Sequence, residues 1–122
     1  MNGRGDRIKP LTRRASWTYT IETRGNRALK AHVTLGMYPS GKVSEIFVVI
    51  GKNGSDLRTT YEAWAMSASK ALQCGTPLRV VASALRGTKD GTCHTAIDEE
   101  DNAAECGSMW DAIAQLLERH DF

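Results

Sequence analysis

The hydrophobic period of this chain changes once, at Gly51, and that change decides what the chain can fold into. Before it, apolar residues recur at every second position. Trp17, Tyr19 and Ile21 alternate with Thr18 and Thr20, and Leu29, Ala31, Val33, Leu35 and Met37 continue the pattern. A period of two puts one set of side chains on one face, so each segment reads as a half-buried β-strand. Gly25-Asn26 supplies a hairpin loop between them, and Pro39-Ser40-Gly41-Lys42 a second turn. Val43 to Ile50 is nearly continuous in apolar and β-branched residues, which predicts a strand covered on both faces.

Beyond Gly51 the step becomes three and four. Ser55 is placed to cap a helix carrying Leu57, Tyr61, Trp64, Ala65, Ala68 and Leu72 on one stripe, with Gly75 as its stop. Thr76-Pro77 opens a second helix with Leu78, Val81 and Leu85 inward, and Gly87 ends it. Ser108 caps a last helix, with Asp111 in capping-box position and Met109, Ile113, Leu116 and Leu117 as its apolar face. Thr88 to Glu105 has no strong period and many turn formers, so it reads as a long loop, functional or unordered. The expectation is an α+β fold: an N-terminal antiparallel β-sheet followed by about three helices packed on one face.

A chain of 122 residues fits one domain. Eight of its 16 Lys and Arg residues fall in the first thirty positions: Arg4, Arg7, Lys9, Arg13, Arg14, Arg24, Arg27 and Lys30. Residues 1–12 therefore read as a basic, flexible arm and 13–122 as the domain. Asp98, Glu99, Glu100 and Asp101 balance the arm with an acidic run, read as a solvated face because it lacks the spacing of a calcium loop. No apolar run approaches the roughly 20 residues of a membrane span, and Met1 to Lys9 lacks the apolar core of a signal peptide. A cytoplasmic protein with no membrane partner is expected. The net charge of +2 is small and no nucleic-acid motif is present, so no nucleic-acid partner is expected either. Three cysteines, Cys74, Cys93 and Cys106, are odd in number and widely spaced, which argues against a disulfide framework and against a Cys-x-x-Cys zinc site.

Catalysis requires a nucleophile, an acid–base pair or a metal. Cys93-His94 is the one adjacent thiol and imidazole; without an orienting third group it reads as an incidental pair, so no catalytic residue, metal or cofactor is assigned. The Gly51-Lys52-Asn53-Gly54-Ser55 turn is more informative. Its glycines permit close backbone approach, Lys52 adds charge, and the free N–H groups of the following helix point at an incoming anion. The spacing is not that of a Walker loop. Lys52, Asn53 and Arg58 are candidate phosphate contacts, with Arg86, Lys89, Thr92 and His94 closing over the ligand. Trp17, Tyr19, Trp64 and Trp110 offer stacking surfaces, although their apolar phase assigns them first to the core.

Several motifs in fixed order carry a family resemblance. Ser44-Glu45-Ile46-Phe47 with Gly51 to Ser55, Ala71 to Leu78, Leu85-Arg86-Gly87-Thr88, and Cys106 to Ile113 resemble the TSCPD domain found at the C-terminus of ribonucleotide reductases, over roughly residues 12 to 118. In those enzymes the domain is an appendage to a far larger catalytic subunit. Read as a chain beginning at Met1 and ending just past its last helix, 122 residues leave no room for the radical barrel, so no reductase activity is expected of it. The stand-alone form resembles the Thoeris anti-defence sponges of phages. That resemblance implies a homo-oligomer, a dimer or hexamer, in the host cytoplasm, sequestering cyclic nucleotide immune signals such as cyclic ADP-ribose isomers without cleaving them. The alternative is a regulatory or interaction module related to the reductase domain. A small enzyme working through Cys93 and His94 is the third reading.

Overall fold

The computed structural model describes residues 7–51, 55–91, 93–100 and 102–120. The period-two segments form three antiparallel strands, β1 (Ser16–Arg24), β2 (Lys30–Met37) and β3 (Val43–Ile50). Their helix-facing residues Tyr19, Ile21, Ala31, Val33, Leu35, Ile46, Val48 and Ile50 are buried. The opposite face is polar: Thr18 and Thr34 hydroxyls meet at 3.0 Å, and Thr20 Oγ1 lies 3.0 Å from His32 Nδ1. The α+β expectation holds, with α1 (Asp56–Gln73), α2 (Leu78–Ser83) and α3 (Met109–Glu118) on the apolar side.

Two expectations are corrected. The 88–105 segment is not structureless, because Thr95–Asp98 and Ala103–Glu105 pair as the hairpin β4–β5. β4 adds to β1, giving a five-stranded sheet of order β3-β2-β1-β4-β5. Four- and three-residue strands are too short to show a period. Nor is β3 covered on both faces. It is an edge strand whose Ser44, Ile46, Val48 and Ile50 face α1, while Phe47 points the other way and stays 49% exposed. The Ser69 hydroxyl takes both the amide and the carbonyl of Ile46, and Gln73 Nε2 donates to the Ser44 carbonyl. Helix α1 thus satisfies part of the exposed edge, one of the ways an edge strand is kept from pairing with another chain.

The caps of α1 and α3 follow the sequence, whereas α2 has Pro77 as its N-cap without a side-chain cap and ends at Ser83, ahead of Gly87. Ser55 Oγ accepts the Arg58 amide, and Ser108 Oγ accepts the Asp111 amide while donating to the Thr88 carbonyl. Gly75, at φ +100°, ends α1 where a side chain would be strained. The basic arm is anchored at its inner end: the Ile8 amide donates to the Gln73 carbonyl, and Arg14 pairs with the buried Glu45. The acidic run is not uniformly solvated either. Asp98 is buried, accepts the amides of Glu100 and Asn102, and meets Arg119 of α3 at 2.9 Å.

Asp111 closes the helical side. Its carboxylate accepts the amides of Gly87 (2.7 Å) and Gly107 (3.2 Å) and pairs with Arg86 at 3.0 Å. Burial pushes the Asp111 carboxyl up, but these donors outweigh it and hold the group below its ordinary 3.8. Asp98 is likewise depressed: desolvation opposes, while Asn102, the Glu100 amide and Arg119 prevail. A depressed folded-state pKa contributes stability that is complete above the ordinary value and is lost as pH falls through the lower one. Unfolding free energy is therefore expected to fall below about pH 4, and Asp111→Asn to flatten that acid limb in urea titrations at successive pH values. Asp111→Ala, which strands two amides as well as the ion pair, is expected to cost about 3 kcal/mol at pH 7, read as a lower urea midpoint at unchanged slope.

Candidate functional site: the basic end of the sheet

Antiparallel pairing sends three connections to the same end of the sheet. The register sets Glu22 against Lys30, Ala31 against Ile50, and Arg24 against Thr95. The β1–β2 loop, the β3–α1 turn and the segment entering β4 therefore emerge together. Helices α1 and α3 also begin there: Ser55 follows β3 after a connection of four residues, and Ser108 is bonded to Thr88. The partial positive charge of two helix N-termini faces this end, which favours an anion.

Cationic side chains gather on the same loops. Arg24, Arg27 and Lys30 come from the first hairpin, Arg58 from the first turn of α1, and Lys89 and His94 from the approach to β4. Two of them have loose carboxylate partners: Lys30 lies 3.5 Å from Glu22 and Arg58 3.8 Å from Glu62. Arg58 Nε is buried and has no hydrogen-bond partner among the described residues, an uncommon state for a guanidinium nitrogen. The loops are stitched to each other through backbone groups, with the His94 amide on the Arg24 carbonyl at 2.8 Å and Asn26 Nδ2 on the Gly91 carbonyl at 3.1 Å. Side chains are thereby left to face outward: Arg24, Arg27, Lys30, Lys89 and His94 are all exposed.

An aromatic floor lies beneath. Tyr61 stacks on Trp110 with ring centroids 3.7 Å apart, and Trp64 meets Trp110 edge-on at 5.7 Å. The trio joins α1 to α3, and both tryptophans are only partly buried. Burial pushes the Tyr61 phenol up; Asp90 reinforces the shift and Arg27 opposes it, so the hairpin cation sits within electrostatic range of the floor.

Of the residues singled out from sequence, Arg58, Lys89 and His94 lie at this end. Lys52, Asn53 and Thr92 lie outside the described residues. Arg86 is committed elsewhere: its guanidinium bridges Asp111 and Glu118, and these carboxylates hold it above its ordinary value. Arg24, Arg27 and Lys30 sit in the basic N-terminal third of the sequence, and only strand pairing brings them to this end of the sheet, where Arg24 and Lys30 alternate onto the polar face with Glu22. Trp17 is 54% exposed beside His120 at the far end of β1, away from this site. The Cys93 thiol faces inward, 2.7 Å from Cys106 Sγ, while the His94 side chain is exposed. Among the described residues no cluster of three or more His, Cys, Asp or Glu is placed to hold a metal ion. No helix among them is long and apolar enough to cross a membrane. A separate cavity of about 330 Å³ lies at the opposite end, between Tyr38, Lys42, Gln73, Thr76 and Arg79.

The TSCPD domain model matches residues 8–121, nearly the whole of the chain. The chain belongs to the TSCPD domain family. A vitamin B12-dependent ribonucleotide reductase from Rhodopirellula baltica is 28% identical over 76 residues, which cover 62% of this TSCPD chain and 7% of the reductase. The TSCPD domain thus spans a small fraction of that relative's length. No solved structure matches it.

The two groups of cations separate experimentally. Arg86→Ala is expected to lower the melting temperature by several degrees, because Asp111 and Glu118 lose their partner. Arg27→Ala, on an exposed loop, is expected to leave it nearly unchanged; scanning calorimetry of both variants checks the contrast.

Proposed function

We propose that this TSCPD domain is a non-catalytic module that binds a small phosphate-bearing nucleotide at the basic end of its sheet. The observation that carries the reading is the placement of Arg27, Arg58, Lys89 and His94 on connections at the end of the sheet where α1 and α3 begin, beside the Tyr61–Trp110 stack; Arg24 and Lys30 share that end but alternate onto the polar face with Glu22. Cations and helix N-termini suit phosphate oxygens, and a partly buried tryptophan pair suits a base. Lys52, Asn53 and Thr92 belong to the same connections in sequence and are assigned to the same task.

Family membership and the reductase relative favour a regulatory or interaction module of the kind attached to ribonucleotide reductases, with nucleotide effectors as ligands. A second reading is the sequestration of cyclic nucleotide signals, cyclic ADP-ribose isomers or cyclic oligonucleotides, by a homo-oligomer that holds them intact. What supports it is the position of the cations: they lie on exposed loops at one end of the sheet, a place accessible to a second subunit. Both readings use the same residues and differ in the ligand.

Calorimetric titration separates them. The full chain is titrated with ATP and dATP, and in parallel with cyclic ADP-ribose isomers and cyclic di- and trinucleotides, and the ligand is recovered after heating. Sub-micromolar binding of one class with the ligand intact is the expected result, and the class that binds decides between effector module and sponge. Arg58→Ala and Arg27→Ala are each expected to weaken that binding at least about tenfold, the loss of one charge-assisted contact, without lowering the melting temperature. No heat with either class overturns the nucleotide reading, and an altered ligand replaces it with an enzyme.

A further inference from the structure

The β4–β5 hairpin is the least supported part of the sheet. Its strands have four and three residues, β5 is an edge, and Ala103 and Glu105 are exposed. Such short strands depend on what ties their ends. At the turn, Asp98 holds the Glu100 and Asn102 amides. At the open end, the ladder closes with the Cys106 amide on the His94 carbonyl at 3.0 Å. Immediately beside that bond, Cys93 Sγ and Cys106 Sγ lie 2.7 Å apart, both residues buried and both thiols free.

We propose that Cys93 and Cys106 are a redox-modification site, forming a reversible intramolecular disulfide that clamps the base of the β4–β5 hairpin. The sulfurs stand about 0.7 Å beyond the roughly 2.0 Å of a disulfide, so little movement separates the two thiols from a bond. Two buried thiols in contact on hydrogen-bonded neighbouring backbones are placed to react with each other before either meets a second chain. Cys74, at the C-terminal end of α1, is not part of the pair.

The oxidant is a peroxide. One thiolate sulfur attacks a peroxide oxygen and becomes a sulfenic acid, releasing water once the leaving hydroxide takes a proton. The neighbouring thiol sulfur then attacks the sulfenic sulfur, forming the S–S bond and expelling a second water. The two thiols give up two protons and two electrons, and the peroxide is reduced to two waters. A small dithiol reverses the bond by exchange. Burial and the adjacent thiol push Cys106 up to about 12, so this thiol loses its proton more readily, and its oxidation quickens, as pH rises. In a reducing compartment the site rests as thiols and responds to an oxidative episode.

Hydrogen peroxide is the probe, applied to the full chain at pH 8, followed by alkylation in denaturant and peptide mass spectrometry. The expected result is a Cys93–Cys106 linked peptide with Cys74 alone alkylated. Cys74→Ser must give the same intramolecular link, losing the mass of two hydrogens as a monomer. The oxidised protein is expected to melt roughly 5–10 °C above the reduced one, because the bond closes a short loop of the unfolded chain. Dithiothreitol and Cys106→Ser must each abolish the difference. Three alkylated thiols after peroxide, a bond to Cys74, or links between chains would overturn the pairing. A bond that forms without raising the melting temperature would overturn the clamp.

Discussion

The Asp111 carboxylate is the point at which two otherwise separate pieces of chain, the end of the α2 segment and the start of α3, are held together. Its two oxygens accept the Gly87 amide at the end of the α2 segment and the Gly107 amide ahead of α3, and they pair with Arg86. Helix α2 has only six residues and no side-chain cap, so it has little stability of its own. It buries Leu78, Val81 and Ala82, and the turn that follows it is tied through Arg86 and Gly87 to the start of α3, whose Ile113, Leu116 and Leu117 are buried in the core. Gly87 contributes a backbone that a side chain would oppose: at φ +85° it turns its amide onto the carboxylate. The charge of Asp111 is thus both cap and cross-brace. A neutral isostere retains the shape but not the strength of bonds made to a charged acceptor.

From that brace follows the character of the candidate site. Fixing α3 against the 88–90 segment places Trp110 over Tyr61, and so joins the second turn of α1 to the first turn of α3. The arrangement puts two helix N-termini, and the cations of three connections, at one end of a rigid sheet. A rigid scaffold carrying exposed, charged loops is the usual division of labour between fold and binding. The opposite end is bound differently. There the arm returns through Ile8 to Gln73, and His120 packs on Tyr19 with ring centroids 5.2 Å apart. Burial lowers the affinity of His120 for a proton, and Arg119 adds to the effect, as expected of a residue used for packing.

The parts of this fold legible in the sequence were those with enough residues to show a period. β1, β2 and α1 each offer eight or more positions, and most of their buried residues are ones the alternation and the helical stripe pick out, although Trp17, in the buried phase of β1, is 54% exposed and the polar Thr23 and Gln73 are buried outside the apolar pattern. Ser55 and Ser108 were readable because caps are local chemistry. β4 and β5 were not, since strands of four and three residues carry less signal than the turns around them. β3 was misread for a different reason. A run of apolar residues reports that a strand is apolar, not whether a neighbour covers its second face, and Phe47 is left on an open one. At the site, Arg58, Lys89 and His94 were found from the turn chemistry beside them. Arg24, Arg27 and Lys30 look like part of a basic tail until strand register carries them across the sheet.

The cysteines show most sharply what linear spacing conceals. Cys93 and Cys106 are thirteen positions apart, too far for a metal knuckle, and an odd third thiol obscures the pair. Only the β4–β5 hairpin folds the distance away. That same hairpin lies against β1 through four paired residues, and its entry is the segment that carries Lys89 and His94. The cation-bearing edge of the basic end is therefore mounted on the thinnest part of the sheet, held at its turn by Asp98 and at its base by two sulfurs. Whatever sets the state of those sulfurs sets the stiffness of that edge. The fold thereby couples a covalent bond in its interior to the loops it presents to solvent, through one short ladder and no larger rearrangement.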